Sequence, residues 1–146
     1  MKEIELNNCI EKIVERIKSK NDFLIIGHND SDGITSTAII FKAIERENKK
    51  VDALNLKQLY KSDVELIQEK GLNKQIIFVD LGSGQKEALA EIKSDLIIID
   101  HHQPQGNVND PWIELNPGYF EIDGAKDISS SGLIYLVAKK YPLLLL

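Results

Sequence analysis

Residues 23–33 read FLIIGHNDSDG, an apolar run that leads directly into a loop of acidic, histidine and small polar residues. Three more aliphatic runs follow it along the chain, at 51–56, 75–79 and 95–99. Short runs of this composition are typical of buried parallel strands. Stretches with helical periodicity alternate with them, at 35–47, 62–70 and 86–93. This order predicts an α/β fold, with a doubly wound, mainly parallel sheet flanked by helices.

Both ends of the chain are also predicted to be helical. Residues 3–19 predict an amphipathic helix that covers the sheet. Its apolar residues recur at mostly three- and four-residue spacings, namely Ile4, Ile10, Ile13, Val14 and Ile17. A last helix is predicted from about 131 to 141, after a looser segment at 103–124 that contains prolines. Ser62 followed by Glu65 fits a capping box for the helix at 62–70.

The composition is that of one folded domain. The chain has 146 residues, of which 42% are hydrophobic and 28% charged, with a net charge of −5. Its single cysteine, Cys9, cannot form an internal disulfide, and acidic residues follow Met1 where a secretory signal would be apolar, so a cytoplasmic location is expected. Because no apolar run approaches the roughly 18 residues that span a bilayer, no membrane partner is expected.

Acidic and histidine residues follow three of the four predicted strands. Because the carboxyl ends of parallel strands meet at one edge of a sheet, these side chains are expected to lie close together. Carboxylates gathered in this way would repel one another and raise their own pKa values unless a cation neutralised them. The sequence therefore predicts a divalent metal site. Its candidate residues are His28, Asp30, Asp32, Asp80, Asp100, His101 and His102.

The ligand types narrow the choice of metal. Carboxylate and imidazole ligands without a thiolate favour Mn²⁺, Mg²⁺, Fe²⁺ or Zn²⁺ in a reactive site over a structural zinc site. The excess of aspartate indicates two ions that share a carboxylate, and such a pair polarises a phosphoryl group and generates hydroxide near neutral pH. The expected reaction is phosphoester hydrolysis. Taken alone, Asp32-Gly33 can also be a turn or a helix cap, and His101-His102 an exposed loop pair.

Three motifs resemble those of the DHH phosphoesterase superfamily, and within it the RecJ-like nucleases of the archaeal branch. Residues 28–36 resemble motif I, residues 79–82 motif II, and residues 99–102 motif III, which contains Asp-His-His. Residues 115–117 and 129–135 are similar to the stretch that follows motif III. The resemblance implies a two-metal centre that prefers Mn²⁺, with Mg²⁺ as the alternative ion, and acts on phosphodiesters of single-stranded DNA or RNA.

The resemblance also implies a set of metal ligands. Asp30 would bind one ion and Asp32 the other, while Asp80 would bridge both ions as a catalytic carboxylate. His101 would complete the ligand shell of the second ion. His28 would be a further ligand, although the spacing to the aspartates at this position differs among family members.

Contacts with the substrate are implied as well. His102 would touch the substrate phosphate and Asp100 would orient the histidines, so Asp80, Asp100 and His102 are the expected catalytic residues. The serine-rich start of the last helix would either offer N–H and hydroxyl groups to a phosphate or form an ordinary N-cap. Its residues are Ser129, Ser130, Ser131 and Gly132.

The chain departs from the family pattern after the last predicted helix. The fourth aspartate motif and the C-terminal substrate-binding domain of RecJ-like proteins have no counterpart in residues 1–146. We therefore expect a single DHH domain with weak or no nuclease activity by itself. Residues 143–146 are four leucines, which are expected to pack on this domain, to contact a second copy or a replication or repair protein, or to mark a cut in a longer protein.

Two other functions stay open at this point. Degenerate members of the superfamily serve as scaffold subunits of DNA replication assemblies, and other members hydrolyse small nucleotides. The intact acidic motifs favour an enzyme over a scaffold. The residues that follow Gly33, Ile34-Thr35-Ser36, resemble the nuclease branch. A metal-dependent exonuclease domain is therefore the first hypothesis.

Overall fold

A computed structural model describes residues 1–141, which form five helices, five strands and one 3₁₀ helix. The α-helices are α1 (Lys2–Lys18), α2 (Ser31–Glu45), α3 (Lys61–Lys70), α4 (Lys86–Leu89) and α5 (Ser130–Lys140). The strands are β1 (Asp22–His28), β2 (Lys50–Leu56), β3 (Gln75–Val79), β4 (Leu96–Ile99) and β5 (Ile113–Leu115). The 3₁₀ helix spans Pro117–Phe120.

The five strands form one parallel sheet in the order β2-β1-β3-β4-β5. The register aligns Gly27, Val79, Ile99 and Leu115 across β1, β3, β4 and β5. The residues that follow these positions therefore leave the sheet at one edge, which is where ligands of such sheets bind. The predicted α/β fold with a parallel sheet flanked by helices is confirmed.

Apolar cores lie on both faces of the sheet. Successive strand residues point to opposite faces, so Phe23 and Ile25 enter the core under α1, α2 and α5, whereas Leu24 and Ile26 enter the core under α3 and α4. The predicted covering role of the first helix is confirmed. Its buried residues are Ile10, Ile13, Val14 and Ile17.

Two predicted helix starts are wrong. Helix α2 begins at Ser31 and not at residue 35, because the Asp30 side chain caps it by accepting the Gly33 N–H. Helix α3 has no capping box between Ser62 and Glu65. The helix begins one residue earlier, and the Asp63 carboxylate accepts the N–H of Tyr60 at 2.8 Å. The N-cap residues, Asp30 and Tyr60, both lie before the predicted starts, so each helix begins nearer the N-terminus than predicted.

The helix predicted at 86–93 ends at Leu89. The Ile92 N–H bonds to the Leu89 carbonyl three residues back, so the chain tightens into a turn that places Ile92 in the core. The segment predicted to be loose at 103–124 contains β5 and the 3₁₀ helix. Strand β5 has only three residues, which is too short for a periodic pattern. Ile4 is 64% exposed, so the apolar face of α1 begins later than predicted.

Two expectations concern membranes and the chain end. Within residues 1–141, every helix is too short or too polar to cross a bilayer. The four leucines at 143–146, for which packing or a partner contact is expected, lie outside the described residues.

Candidate metal centre

His28 is the last residue of β1, and Asp30 lies in the loop that follows it. The Asp30 Oδ1 atom accepts the Gly33 N–H at 2.8 Å, and this leaves Oδ2 free to lie 3.0 Å from His28 Nδ1. A Cβ atom at Gly33 would come within 2.2 Å of the His28 carbonyl oxygen. Only glycine fits there, so the helix can start close enough to β1 for Asp30 to reach His28.

Asp80 lies directly after β3 at the centre of the edge. It is 1% exposed, and its backbone is left-handed at φ 61°, a conformation that costs energy for an aspartate. Its Oδ2 atom is 3.4 Å from His28 Nδ1, and its Oδ1 atom is 3.4 Å from His101 Nε2. Neither oxygen has a hydrogen-bond partner in the described part of the chain. Each oxygen therefore faces a different histidine.

Asp32 joins the group on the His101 side. Its Oδ2 atom is 3.6 Å from His101 Nε2. Both carboxylate oxygens also accept backbone N–H groups at the start of α5, from Ser130 and Ser131, each at 2.9 Å. The N-terminus of α5 thus fixes the orientation of Asp32 and favours its negative charge.

These bonds correct one part of the prediction for the serine-rich segment, that its N–H groups bind a phosphate, and the part that concerns its hydroxyl groups stays a prediction. The N–H groups of Ser130 and Ser131, which were candidates for a phosphate, are occupied by Asp32, and the Gly132 N–H donates to the Ser129 hydroxyl in an N-cap. A helix N-terminus binds whichever anion is nearest, and here that anion belongs to the chain. The N-cap alternative is confirmed for Ser129.

The ring orientation of two histidines is fixed by backbone carbonyls. His28 Nε2 lies 3.1 Å from the Lys57 carbonyl oxygen, and His101 Nδ1 lies 2.7 Å from that of Gly124. A carbonyl only accepts, so these nitrogens carry the hydrogen. In the neutral rings the lone pairs then belong to His28 Nδ1 and His101 Nε2, the atoms that face Asp80. Metal-binding histidines are held in the same way.

Asp100 and His102 form a separate pair beside Asp80. Asp100 is buried, and its Oδ1 atom lies 2.7 Å from His102 Nδ1, while its Oδ2 accepts the Ser83 N–H at 3.0 Å. Burial opposes ionisation of Asp100, but the bonds from His102 and Ser83 hold its pKa below the ordinary value. The bond to Asp100 raises the pKa of His102. His102 Nδ1 is 4.0 Å from Asp80 Oδ1.

A buried polar network supports this pair, and the sequence analysis missed it. Lys86 and Glu114 form an ion pair of 2.7 Å, with side chains that are 4% and 0% exposed. Glu114 also accepts the Ser83 hydroxyl at 2.6 Å, and Asn116 donates to both the Ser83 hydroxyl and the His102 carbonyl. The network therefore holds both the Ser83 N–H that bonds Asp100 and the backbone of His102.

The carboxylates differ in how easily they ionise. Burial raises the pKa of Asp80 to about 6, and the nearby carboxylates of Asp30 and Asp32 add to this rise. Burial also acts on Asp32, but the bonds from Ser131 and Ser130 outweigh it and hold its pKa below the ordinary value. Asp80 is thus the group that most needs a positive charge beside it.

The donor set fits divalent metal ions. Ligand atoms of His28, Asp30 and Asp80 lie within 4.8 Å of one another, and so do those of Asp80, His101 and His102. Asp80 belongs to both groups, and its buried oxygens without hydrogen-bond partners match what a bridging carboxylate presents to two ions. Nitrogen and oxygen ligands without a thiolate suit Mn²⁺, Mg²⁺, Fe²⁺ or Zn²⁺. All seven candidate acidic and histidine residues from the sequence analysis lie at this edge.

Comparison with known proteins agrees with the fold and the motifs. Residues 22–144 match the DHH family, N-terminal domain, and the chain belongs to this family. Within the family it is RecJ-like. It is 27% identical over 121 residues to the single-stranded-DNA-specific exonuclease RecJ of Bacillus subtilis, a match that covers 77% of this chain and 15% of RecJ.

Two further proteins are similar to this chain. The chain is 38% identical over 142 residues to an uncharacterized protein of Methanocaldococcus jannaschii, covering 90% of this chain and 33% of that protein. The crystal structure of RecJ in complex with Mn²⁺ from Thermus thermophilus has the same fold, with a TM-score of 0.68 and 21% identity over 91% of this chain and 20% of that one. The chain thus spans a third or less of the length of these relatives.

Proposed function

We propose that this chain is the phosphoesterase domain of a RecJ-like exonuclease, which hydrolyses phosphodiester bonds of single-stranded nucleic acid with two Mn²⁺ ions. One observation carries the proposal. The two carboxylate oxygens of Asp80 are buried, lack hydrogen-bond partners in the described residues, and each lie 3.4 Å from a different histidine. A structural aspartate would be expected to use these oxygens within the fold.

Each side of Asp80 then corresponds to one ion. His28 and Asp30 would hold the first ion together with Asp80, and His101 and Asp32 would hold the second. When bound, such a pair of ions supplies Lewis acid activation of a phosphoryl group and of water. The lowered pKa of Asp32 keeps this ligand ionised, and the carbonyls of Lys57 and Gly124 keep the two rings aimed inward.

His102 would contact the phosphate. Its side chain is 52% exposed, and its Nδ1 is bonded to Asp100, so Nε2 is the nitrogen it can offer to a ligand. The raised pKa of His102 favours the protonated ring, which donates a hydrogen bond to a phosphate oxygen and neutralises part of its charge. Asp100 would keep the ring in this orientation.

The substrate class is proposed from the relatives. The Bacillus subtilis relative is named as specific for single-stranded DNA, and the Thermus thermophilus RecJ structure contains Mn²⁺. We propose single-stranded DNA or RNA as the substrate, and a second domain, which the resemblance to RecJ-like proteins implies, as the part that grips it. A cytoplasmic location and a protein partner at the apolar chain end stay predictions.

The test combines a binding and an activity measurement. Titration calorimetry should find two Mn²⁺ ions per chain, and a short 5′-labelled single strand should be hydrolysed slowly in the same buffer, only with Mn²⁺. Asp80→Ala should abolish both signals, whereas Asp52→Ala, an exposed carboxylate paired with Lys74, should change neither. Fewer than two ions in the native chain, or hydrolysis without metal, would contradict the proposal.

A further inference from the structure

A cavity of about 470 Å³ opens beside the metal centre, on the side of β2 and α4. Its lining includes His28, Asp80, Asp100 and His102, so a group placed at the metal centre is continuous with this space. Its size lies within the roughly 300–1,000 Å³ typical of sites for small ligands. The cavity can therefore hold the part of a substrate that is attached to the reacting phosphate.

The rest of the lining is rich in neutral amide residues. Four of the six glutamines in the chain are found there, together with Lys57, and we call this space the amide cavity. Its glutamines come from three separate loops and are Gln58, Gln85, Gln103 and Gln105. Leu59 and Leu81 add apolar surface. Away from the metal centre, the lining contains no acidic residue.

Two of these loops are fixed to each other. The Gln105 N–H donates to the Ser83 carbonyl at 2.9 Å, which ties the segment after β4 to the loop after β3. The Gln85 Oε1 atom accepts the Gly82 N–H at 3.0 Å, so its amide NH₂ group is the part it can offer to a ligand. The fold therefore holds these two loops together and fixes the Gln85 side chain before any ligand binds.

The chemistry of the wall favours a nucleoside. Amides provide donors and acceptors without charge, as recognition of base edges requires, and glutamine is one of the side chains that pair with adenine. Leu59 and Leu81, which are 6% and 5% exposed, add a small apolar edge to the wall, and Lys57 is a cation for a neighbouring phosphate. A second cavity beside His101, of about 500 Å³, has fewer amide residues in its lining, Gln103 and Asn116, and it includes the acidic Asp123.

We propose that the amide cavity binds the nucleoside attached to the phosphate at the metal centre and contributes affinity through its base. This inference rests on the proposed function, since it takes the metal centre as the position of the phosphate. It adds that the substrate is recognised as a nucleotide by this domain itself, through the base as well as the phosphate.

The test compares two ligands that differ only by the base. In the presence of Mn²⁺, calorimetry should show that adenosine 5′-monophosphate binds the full chain about tenfold more tightly than ribose 5-phosphate, the difference expected from one good amide–base contact. A triple variant, Gln58→Ala with Gln103→Ala and Gln105→Ala, should lose this difference. These three residues are exposed, so the fold should be retained. Gln68→Ala, on α3 and outside the cavity, is the matched control.

A second measurement separates this proposal from the metal centre. In the metal-free protein, millimolar adenosine should shift the NMR signals of the side-chain amides of Gln58, Gln103 and Gln105, and leave that of Gln68 unchanged. If the chain binds two Mn²⁺ ions but binds adenosine 5′-monophosphate and ribose 5-phosphate with equal affinity, the proposal for the amide cavity is overturned and the proposed function stands. Amide shifts without Mn²⁺ binding would support the cavity and overturn the metal centre. The absence of both signals would overturn both.

Discussion

The Asp32 Oδ1 atom accepts the backbone N–H of Ser131 at 2.9 Å, across 99 residues of sequence. Together with the Ser130 bond, this contact ties the loop after β1 to the last helix. Asp32→Ala should lower the free energy of unfolding of the metal-free protein by about 1–3 kcal/mol, because two N–H groups lose a charged acceptor. Urea unfolding with a chelator measures this. A loss no larger than that of the surface variant Asp52→Ala would contradict the expectation.

Asp80→Asn should have the opposite effect on stability. The folded-state pKa of Asp80 is raised to about 6, from an ordinary value of 3.8. Its contribution to stability is therefore complete below about pH 4 and is lost as the pH rises through about 6. At pH 7 Asp80 is ionised in the metal-free native protein, and a pKa shift of this size lowers the free energy of unfolding by about 3 kcal/mol. The neutral variant should be more stable by an amount of that order, although it cannot bridge metal ions.

Urea unfolding at pH 4 and pH 7 checks the sign. In the chelator-treated native protein, the change in the free energy of unfolding from pH 4 to pH 7 should include this loss. In Asp80→Asn the loss should be absent. Asp32→Asn serves as the control, because the pKa of Asp32 is held below its ordinary value and its ionised form stabilises the fold. Stabilisation by both variants would indicate general charge repulsion, and the Asp80 explanation would then fail.

The position of this site could be predicted from sequence, because in a parallel sheet the residues after each strand share one edge. His28 ends β1, and Asp80 and His101 follow β3 and β4. The aliphatic run of each of these strands is long enough to be identified. The hydrogen-bond partners of the site residues could not be predicted. That Asp32 would bond to α5 depends on how that helix packs beside α2, and no local pattern around Asp32 encodes this packing.

Metal stoichiometry should distinguish Asp80 from His28. Asp80→Ala should abolish binding of both Mn²⁺ ions, since its two oxygens face both groups of ligands. His28→Ala should leave one ion bound on the side of His101 and Asp32. Titration calorimetry counts the ions directly, and circular dichroism confirms that both variants are folded. Equal losses in the two variants would remove the bridging role of Asp80.

The buried Lys86–Glu114 pair should behave as a unit. Lys86→Met alone leaves the Glu114 charge buried without its cation and should cost about 3–5 kcal/mol of stability. The double variant, Lys86→Met with Glu114→Gln, should recover much of this loss. A double-mutant cycle by urea unfolding measures the coupling. The exposed pair Lys61–Glu91 is the control and should show less than about 1 kcal/mol. Additive effects of the buried pair would contradict the expectation.

This pair also shows why part of the site escaped the sequence analysis. Lys86 begins a four-residue helix, and Glu114 lies within a three-residue strand, so both resemble ordinary surface charges in a polar stretch. Their burial results from the packing of β5 beside β4 and of the loop after β3 over it. Asn116 was noted only within a motif, and its bond to the His102 carbonyl follows from the register of β5.

The bond between Asp32 and the start of α5 has a consequence for how the protein is made. When His102 has left the ribosome, all seven acidic and histidine residues of the site have been synthesised. The backbone N–H groups that orient Asp32 have not. Those donors are synthesised almost thirty residues later, at Ser130 and Ser131. If the proposed metal centre forms, a nascent chain would therefore reach its full metal affinity only after its last helix has docked.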